Sequence, residues 1–366
     1  MSRTKPSRRD SLGAVARREW HEFVTINPSD RPWELPFAVA MAAGLPMLLG
    51  AWLGDMGLAA LASIGAMTII YVPRTRLAHR MATLMAVGFA MIACYALGQL
   101  SHLVPMARAP IITLVAIVVT MACRYYRVVP PGSLFFIMAT AIGAYTPGDI
   151  AQAPLKLGVF ALGAMGAVGV AFLYNVHILR FRAPLPISPP PPDLLDSVVI
   201  ESLLIGLFVG LSLGAAQLLA LDKPYWVPVS CLAVIQGINL RAVWNRQTHR
   251  IIGTMIGLCV TWALARYAAN PWAVAIAITV LTFCIETAIV RHYAFAAIFI
   301  TPLTILLAEA TTLGHADSST LIVARLADTV VGSLIGLAGG MCLHNAALRG
   351  LLRRWLRPAG PDRPRD

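Results

Sequence analysis

The sequence predicts an all-α polytopic membrane protein of about twelve transmembrane helices, arranged as two parallel six-helix repeats. Three observations predict it. Hydrophobic residues make up 58% of the 366 residues and charged residues only 13%, against roughly 25% charged in a soluble domain. Apolar stretches recur along the whole chain with short polar breaks between them. The basic residues gather in every second break, as loops on the cytoplasmic side of a membrane do.

The same composition excludes other classes. A mean hydropathy of +0.73 is far from that of a disordered chain. A net charge of +12 would point to nucleic acid in a soluble protein. In so apolar a chain it points to the bilayer, so no nucleic-acid partner is expected. The six cysteines stand singly in or beside apolar runs, with no CxxC and no zinc spacing. They read as small packing hydrophobes, and neither metal nor cofactor is expected.

The elements follow in order. Residues 1–35 form a polar, basic segment, with Arg3, Lys5, Arg8, Arg9, Arg17, Arg18 and Arg31. No apolar core with a small-residue cleavage site follows a short basic start, so no cleavable signal peptide is expected. Leu12, Ala16, Trp20 and Phe23 share one helical face suited to the membrane surface. The first repeat (36–180) holds spans near Pro36–Trp52, Gly57–Val72, Met81–Leu97, Ala109–Cys123, Ser133–Tyr145 and Leu157–Leu179. A linker (181–193) reads FRAPLPISPPPP and then Asp193; its prolines favour a stiff extended chain. The second repeat (194–345) holds spans near Leu194–Leu219, Tyr225–Leu240, Ile251–Ala265, Pro271–Ala288, Ala294–Leu307 and Leu321–Leu343. A basic tail (346–366) closes the chain. Several spans fall short of the ~20 residues a crossing helix wants, so ten or eleven crossings remain open beside twelve.

Charge arithmetic orients the chain. With the N-terminus inside, only Arg108, Lys156, Lys223, Arg266 and Arg325 of the 29 Lys+Arg fall in outer segments. The alternation holds through every loop and predicts N-in, C-in with an even span count.

The halves repeat. Arg76-Leu-Ala-His79-Arg80 follows span 2, and Arg246-Gln-Thr-His249-Arg250 follows span 8. Lys156 and Gly163 open span 6 as Arg325 and Gly332 open span 12. Six spans per half leave both halves in one orientation, related by an axis along the membrane normal. Such symmetry favours a transporter or channel with its path between halves.

The second repeat carries Tyr225-Trp226, then Asn245-Arg246, His249-Arg250, Gly253-Thr254 and Gly257, followed by Tyr293, Thr301-Pro302 and Arg325-Leu-Ala-Asp328-Thr329 before Gly332. This run resembles the fusaric acid resistance (FUSC) family, which includes aromatic acid exporters. The resemblance covers most of 195–345 and, more weakly, 36–180. Many members carry soluble domains after each six-span half, whereas this chain has the proline linker and a short tail. The first half has Asp55-Met56 where the second has Tyr225-Trp226. Family site residues are therefore carried onto the second half only. The resemblance implies efflux of organic or aromatic acids, driven by protons.

Candidate site residues follow from chemistry. Acids inside spans are costly and often functional. Glu286 in span 10 and Asp328 in span 12 are candidates for proton coupling. Snorkelling of Glu286 and a helix-end pair of Asp328 with Arg325 compete with that role. Glu201 and Glu309 read as interfacial. Arg246, His249 and Arg250 suit a carboxylate at the inner mouth, since the planar guanidinium fork pairs with carboxylate; the positive-inside rule alone also places cations there. Span 8 is the most polar, with Tyr225, Trp226, Ser230, Gln236 and Asn239, and Pro224 and Pro228 free backbone groups. Thr301-Pro302 does the same in span 11. Tyr225, Trp226, Gln236, Arg246, His249, Arg250 and Thr301 are thus the candidate substrate-binding set. Gly253, Gly257, Gly332, Gly336 and Gly340 are spaced for close helix packing, within the chain or at a dimer face.

The expected function is export of organic or aromatic carboxylic acids by a secondary transporter. An anion channel of the same architecture and an accessory membrane subunit of an efflux system are the alternatives. No Walker loop and no Ser/His/Asp constellation is present, so no enzyme is expected. Partners are the lipid bilayer and a small organic anion, with a homo-oligomer or an efflux partner protein open. Only three of the 29 basic residues are Lys. With abundant Ala, that usage points to a GC-rich bacterial source and hence an inner membrane.

Overall fold

The computed structural model describes residues 28–146, 150–187, 195–237, 239–265, 267, 269–308 and 318–356. Residues 1–27 with their expected surface helix, Arg266, Glu309 and the end of the tail lie outside it. The described residues form thirteen α-helices and no strand.

In chain order the helices are α1 (Glu34–Leu53), α2 (Met56–Gly65), α3 (Leu77–Leu100), α4 (Arg108–Tyr125), α5 (Leu134–Tyr145), α6 (Ala153–Ile178), α7 (Leu195–Leu218), α8 (Trp226–Ile235), α9 (Leu240–Ala265), α10 (Pro271–Ala288), α11 (Tyr293–Ala308), α12 (Ser318–His344) and α13 (Ala346–Leu356). The first twelve coincide with the twelve apolar stretches. Seven of them, α1, α3, α4, α6, α7, α10 and α12, are long and apolar enough to cross a membrane. Seven candidate crossings therefore stand against the twelve expected.

Local chemistry sets the ends. Glu34 lies in the first turn of α1, where the helix dipole favours a carboxylate. Gly54, at φ 82°, closes α1 with its N–H on the Gly50 carbonyl. Asp55 caps α2 by accepting from the Leu58 N–H at 2.9 Å. α2 then tightens into a 3₁₀ turn over Ala66–Tyr71. Asn270 caps α10 through the N–H groups of Trp272 and Ala273, with Pro271 at the first position.

α9 departs from its expected bounds. The apolar window begins at Ile251, but the helix begins at Leu240. It therefore carries Arg246, His249 and Arg250 on its surface rather than in a loop. A helix whose charged side faces a cavity has no continuous apolar signature over that stretch.

Helix pairing recurs between halves. In the first, α1 packs on α2 and α6, α2 on α6, and α3 on α5 and α6. In the second, α7 packs on α8 and α12, α8 on α12, and α9 on α11 and α12. The halves meet along two equivalent seams, α1 against α10 and α4 against α7. Buried apolar clusters fill both: Met47, Ala59, Ile278 and Leu303 at one, Ile112, Ile205 and Leu343 at the other.

The spaced glycines serve packing within the chain. A Cβ at Gly332 would run into the Val227 carbonyl of α8, and one at Gly163 into the Ala62 carbonyl of α2. A Cβ at Gly257 would stand 2.6 Å from the Ile298 carbonyl of α11. The first part of the linker is extended and lies back on the first half, where the Leu185 N–H donates to the Arg74 carbonyl at 2.7 Å.

Candidate functional site

A cavity of about 2070 Å³ opens between the halves. Its wall runs from Arg31 and Arg74 at one end of α1 to Asp55 and Asp222 at the other. Among its lining residues stand eleven Lys or Arg: Arg31, Arg74, Arg80, Arg124, Arg127, Lys156, Arg182, Lys223, Arg246, Arg250 and Arg325. Three acids oppose them: Asp55, Asp222 and Glu286. A wall of that balance concentrates anions.

The best-formed part lies on α8. Proline and small residues let α8 sit deep, and Trp226 through Ile235 are all buried. Tyr225 and Trp226 cover the cavity side of its first turn, with ring centroids 5.2 Å apart. Tyr145 from the first half lies 6.1 Å from Tyr225. The Arg325 guanidinium, projecting from α12, stacks over Trp226 at 4.2 Å. Arg325 is only 4% exposed, and its Nε and Nη1 have no hydrogen-bond partner.

One turn deeper, Arg250 on α9 donates from Nη2 to Ser230 Oγ and from Nη1 to the Tyr293 hydroxyl, each at 3.1 Å. Its Nε is buried and unpartnered. Arg246 faces the Tyr293 ring at 6.0 Å. In the first half, Arg80 stands at the position of Arg250 and is held differently. Its Nη1 donates to Asn175 Oδ1 at 2.7 Å and its Nε to the Thr75 carbonyl at 2.5 Å.

The sequence-predicted residues divide. Tyr225, Trp226, Gln236, Arg246, Arg250 and Glu286 line the cavity. Gln236 also donates to Ser133 Oγ at 3.1 Å, joining the halves. Thr301 and His249 do not line it. Thr301 turns its hydroxyl to the Ala297 carbonyl and to Thr254, inside the α9–α11 contact. His249 packs against His292, with centroids 4.8 Å apart. Asp328 is fully buried, and neither carboxylate oxygen has a hydrogen-bond partner. No ion pair joins it to Arg325. Glu201 pairs with Arg124 across the α4–α7 seam. Glu286 pairs with Arg31 at 2.6 Å.

Sequence reasoning missed Arg31, Arg80 and Lys156 as cavity residues. The repeated offset that relates Arg80 to Arg250 and Lys156 to Arg325 was the signal for two of them. Among the described residues no three His, Cys, Asp or Glu side chains gather as a metal site.

These residues fall where comparison places the chain. A model of the fusaric acid resistance protein-like family matches residues 209–339. Over that stretch the chain is similar to that family. The match takes in Tyr225, Trp226, Arg250, Tyr293 and Arg325, the residues that converge on α8. An uncharacterized membrane protein, YvaC of Bacillus subtilis (strain 168), is 35% identical over 138 residues. That alignment takes in 37% of this chain and 22% of the relative, so the chain spans little more than a fifth of the relative's length. No solved structure matches. The resemblance to the fusaric acid resistance family read from the second-half motif is thus shown over residues 209–339, and the protein is a multi-pass membrane protein.

Proposed function

We propose that this protein is a secondary transporter of the bacterial inner membrane that exports organic or aromatic carboxylic acids, driven by protons. The carrying observation is the α8 site. Two buried guanidinium groups, Arg250 and Arg325, keep unpartnered nitrogens where they line a cation-rich cavity beside Trp226 and Tyr225. Buried donors of this kind want an acceptor. A carboxylate supplies paired acceptors, and an aromatic or aliphatic body finds apolar rings beside it. The family resemblance supports export of such acids, and the loop charges support N-in and C-in. Glu286 and Asp328 are the acids we assign to proton coupling.

The deciding experiment is flux in proteoliposomes across a panel of aromatic and aliphatic acids, with and without a pH gradient. Uphill movement of a carboxylate that collapses with the gradient is the expected result. The excess of eleven cations over three acids in the wall also suits an anion channel. Downhill anion current indifferent to the gradient would replace the carrier with that channel.

A further inference from the structure

The segment before α1 reaches into the cavity wall. Arg31 lies beside α10, 255 residues away in sequence. Its Nη2 donates to Glu286 Oε2 at 2.6 Å and its Nη1 to the Glu286 carbonyl at 3.2 Å. The two side chains are 12% and 7% exposed. The backbone beside it is held from the start of the linker, where Arg182 donates to the Asp30 carbonyl at 2.8 Å. The Arg31 N–H donates to Ser29 Oγ at 3.2 Å. Arg31 is thus tied to the second half by its side chain, and the neighbouring Asp30 carbonyl is tied to the linker.

The position of the pair argues against a plain anchor. Arg31, Arg182 and Glu286 all line the cavity. Asp55 and Asp222, the other two acids of the wall, lie at the far end of α1, so Glu286 is the one acidic lining residue at this end among those described. Arg31, Arg80, Arg182 and Glu34 all lie within electrostatic reach of Tyr174. A free anion entering this end meets several cations and two acids, Glu286 and Glu34. The guanidinium fork that would receive a carboxylate is already filled, on Nη2 by the Glu286 carboxylate and on Nη1 by the Glu286 carbonyl.

We propose that Arg31 is an anion-binding residue of the cavity mouth, and that Glu286 occupies its fork until an organic carboxylate displaces it. Glu286 and the transported acid then compete for one guanidinium. The backbone bonds through Arg182 hold Arg31 in place while the partner changes. No covalent step is involved; the incoming carboxylate replaces the Glu286 carboxylate on Nη2 and the Glu286 carbonyl on Nη1. The inference rests on the reading that the cavity carries carboxylates, and it adds an entry residue outside the second-half motif.

The test uses the purified full chain in detergent and phenylglyoxal, which modifies accessible arginine. The rate of modification of Arg31 is read by peptide mass spectrometry. Glu286→Gln removes the competing charge and should raise that rate about tenfold, the factor that 1.4 kcal/mol represents. Glu286→Asp keeps the charge on a shorter stem and should give a smaller rise, which covers the case where the glutamine variant does not fold. Sodium benzoate or disodium succinate should then slow modification of Arg31 in either variant. An unchanged rate in both variants overturns the proposal. So does a raised rate that neither anion slows. Proteoliposome flux separates the two readings. Protection of Arg31 without acid flux sinks transport and leaves the site standing, whereas flux without protection sinks the site alone.

Discussion

Removing two buried charges should make the empty protein more stable. Arg325→Met combined with Asp328→Asn is the perturbation. Arg325 has two buried unpartnered nitrogens, and Asp328 two buried unpartnered oxygens. Each such group costs about 1–3 kcal/mol, more when it is charged. The offsetting return is the Trp226 stack at 4.2 Å, worth about 2 kcal/mol when desolvated. Single removal of either residue would leave the other charge uncompensated, so both are changed together. Replacing buried ionic groups by hydrophobic residues of similar volume stabilises by about 1–4 kcal/mol in favourable cases; the asparagine still buries an amide, so the low end, about 1 kcal/mol, is expected here. The assay is thermal unfolding in detergent with and without sodium benzoate. Wild type should gain stability as benzoate fills the site, by mass action; the double variant should start higher and gain nothing. A double variant that is less stable than wild type yet still stabilised by benzoate would refute the reasoning. Arg325 and Asp328 would then be scaffold.

Two further outcomes follow from the packing. Thr301→Val should cost about 1 kcal/mol of stability, through its bonds to Ala297 and Thr254, and leave benzoate affinity unchanged, as equilibrium binding will read. Gly332→Val should cost about 1–3 kcal/mol by overpacking, because its side chain meets Val227 and Ser230 of α8; Gly166→Val, where a Cβ meets nothing within 4 Å, should leave the size-exclusion profile and unfolding midpoint unaltered.

The helices were legible because bilayer-crossing segments write their length and hydropathy directly into sequence. α9 was legible only from Ile251, since its first ten or so residues turn arginines toward a cavity and average out as polar. The cavity itself was half legible. Repeat spacing marked Arg246 and Arg250, and both reach the wall. The motif also marked Thr301 and His249, whose polar groups are instead taken up within helix contacts. A hydroxyl in a helix satisfies itself on the preceding turn as readily as on a ligand, and spacing cannot tell which it does. The Arg31–Glu286 pair was out of reach, because no local pattern links residues 255 apart.

The repeats differ in how their equivalent arginines are held. In the first half Arg80 is bonded through Nε and Nη1, the latter to Asn175 of α6. The residue of α12 at the register of Asn175, by the spacing that relates Lys156 to Arg325, is His344. His344 is engaged elsewhere, with its ring nitrogen 3.1 Å from the Gly237 carbonyl. Arg250 has no such acceptor on α12 and places Nη1 on Tyr293 and Nη2 on Ser230; its Nε, lacking a counterpart of the Thr75 carbonyl, is unpartnered. The first-half arginine is satisfied by its own scaffold, whereas the second-half one retains capacity for a ligand. The same asymmetry runs through α8, which has Tyr225-Trp226 where the first half has Asp55-Met56. Restoring the acceptor makes the point testable. His344→Asn would offer Arg250 the amide that Arg80 already has, and if the asymmetry matters it should weaken benzoate binding while leaving the fold intact. Unchanged affinity with a normal unfolding midpoint would mean that Arg250 takes no part in holding the anion.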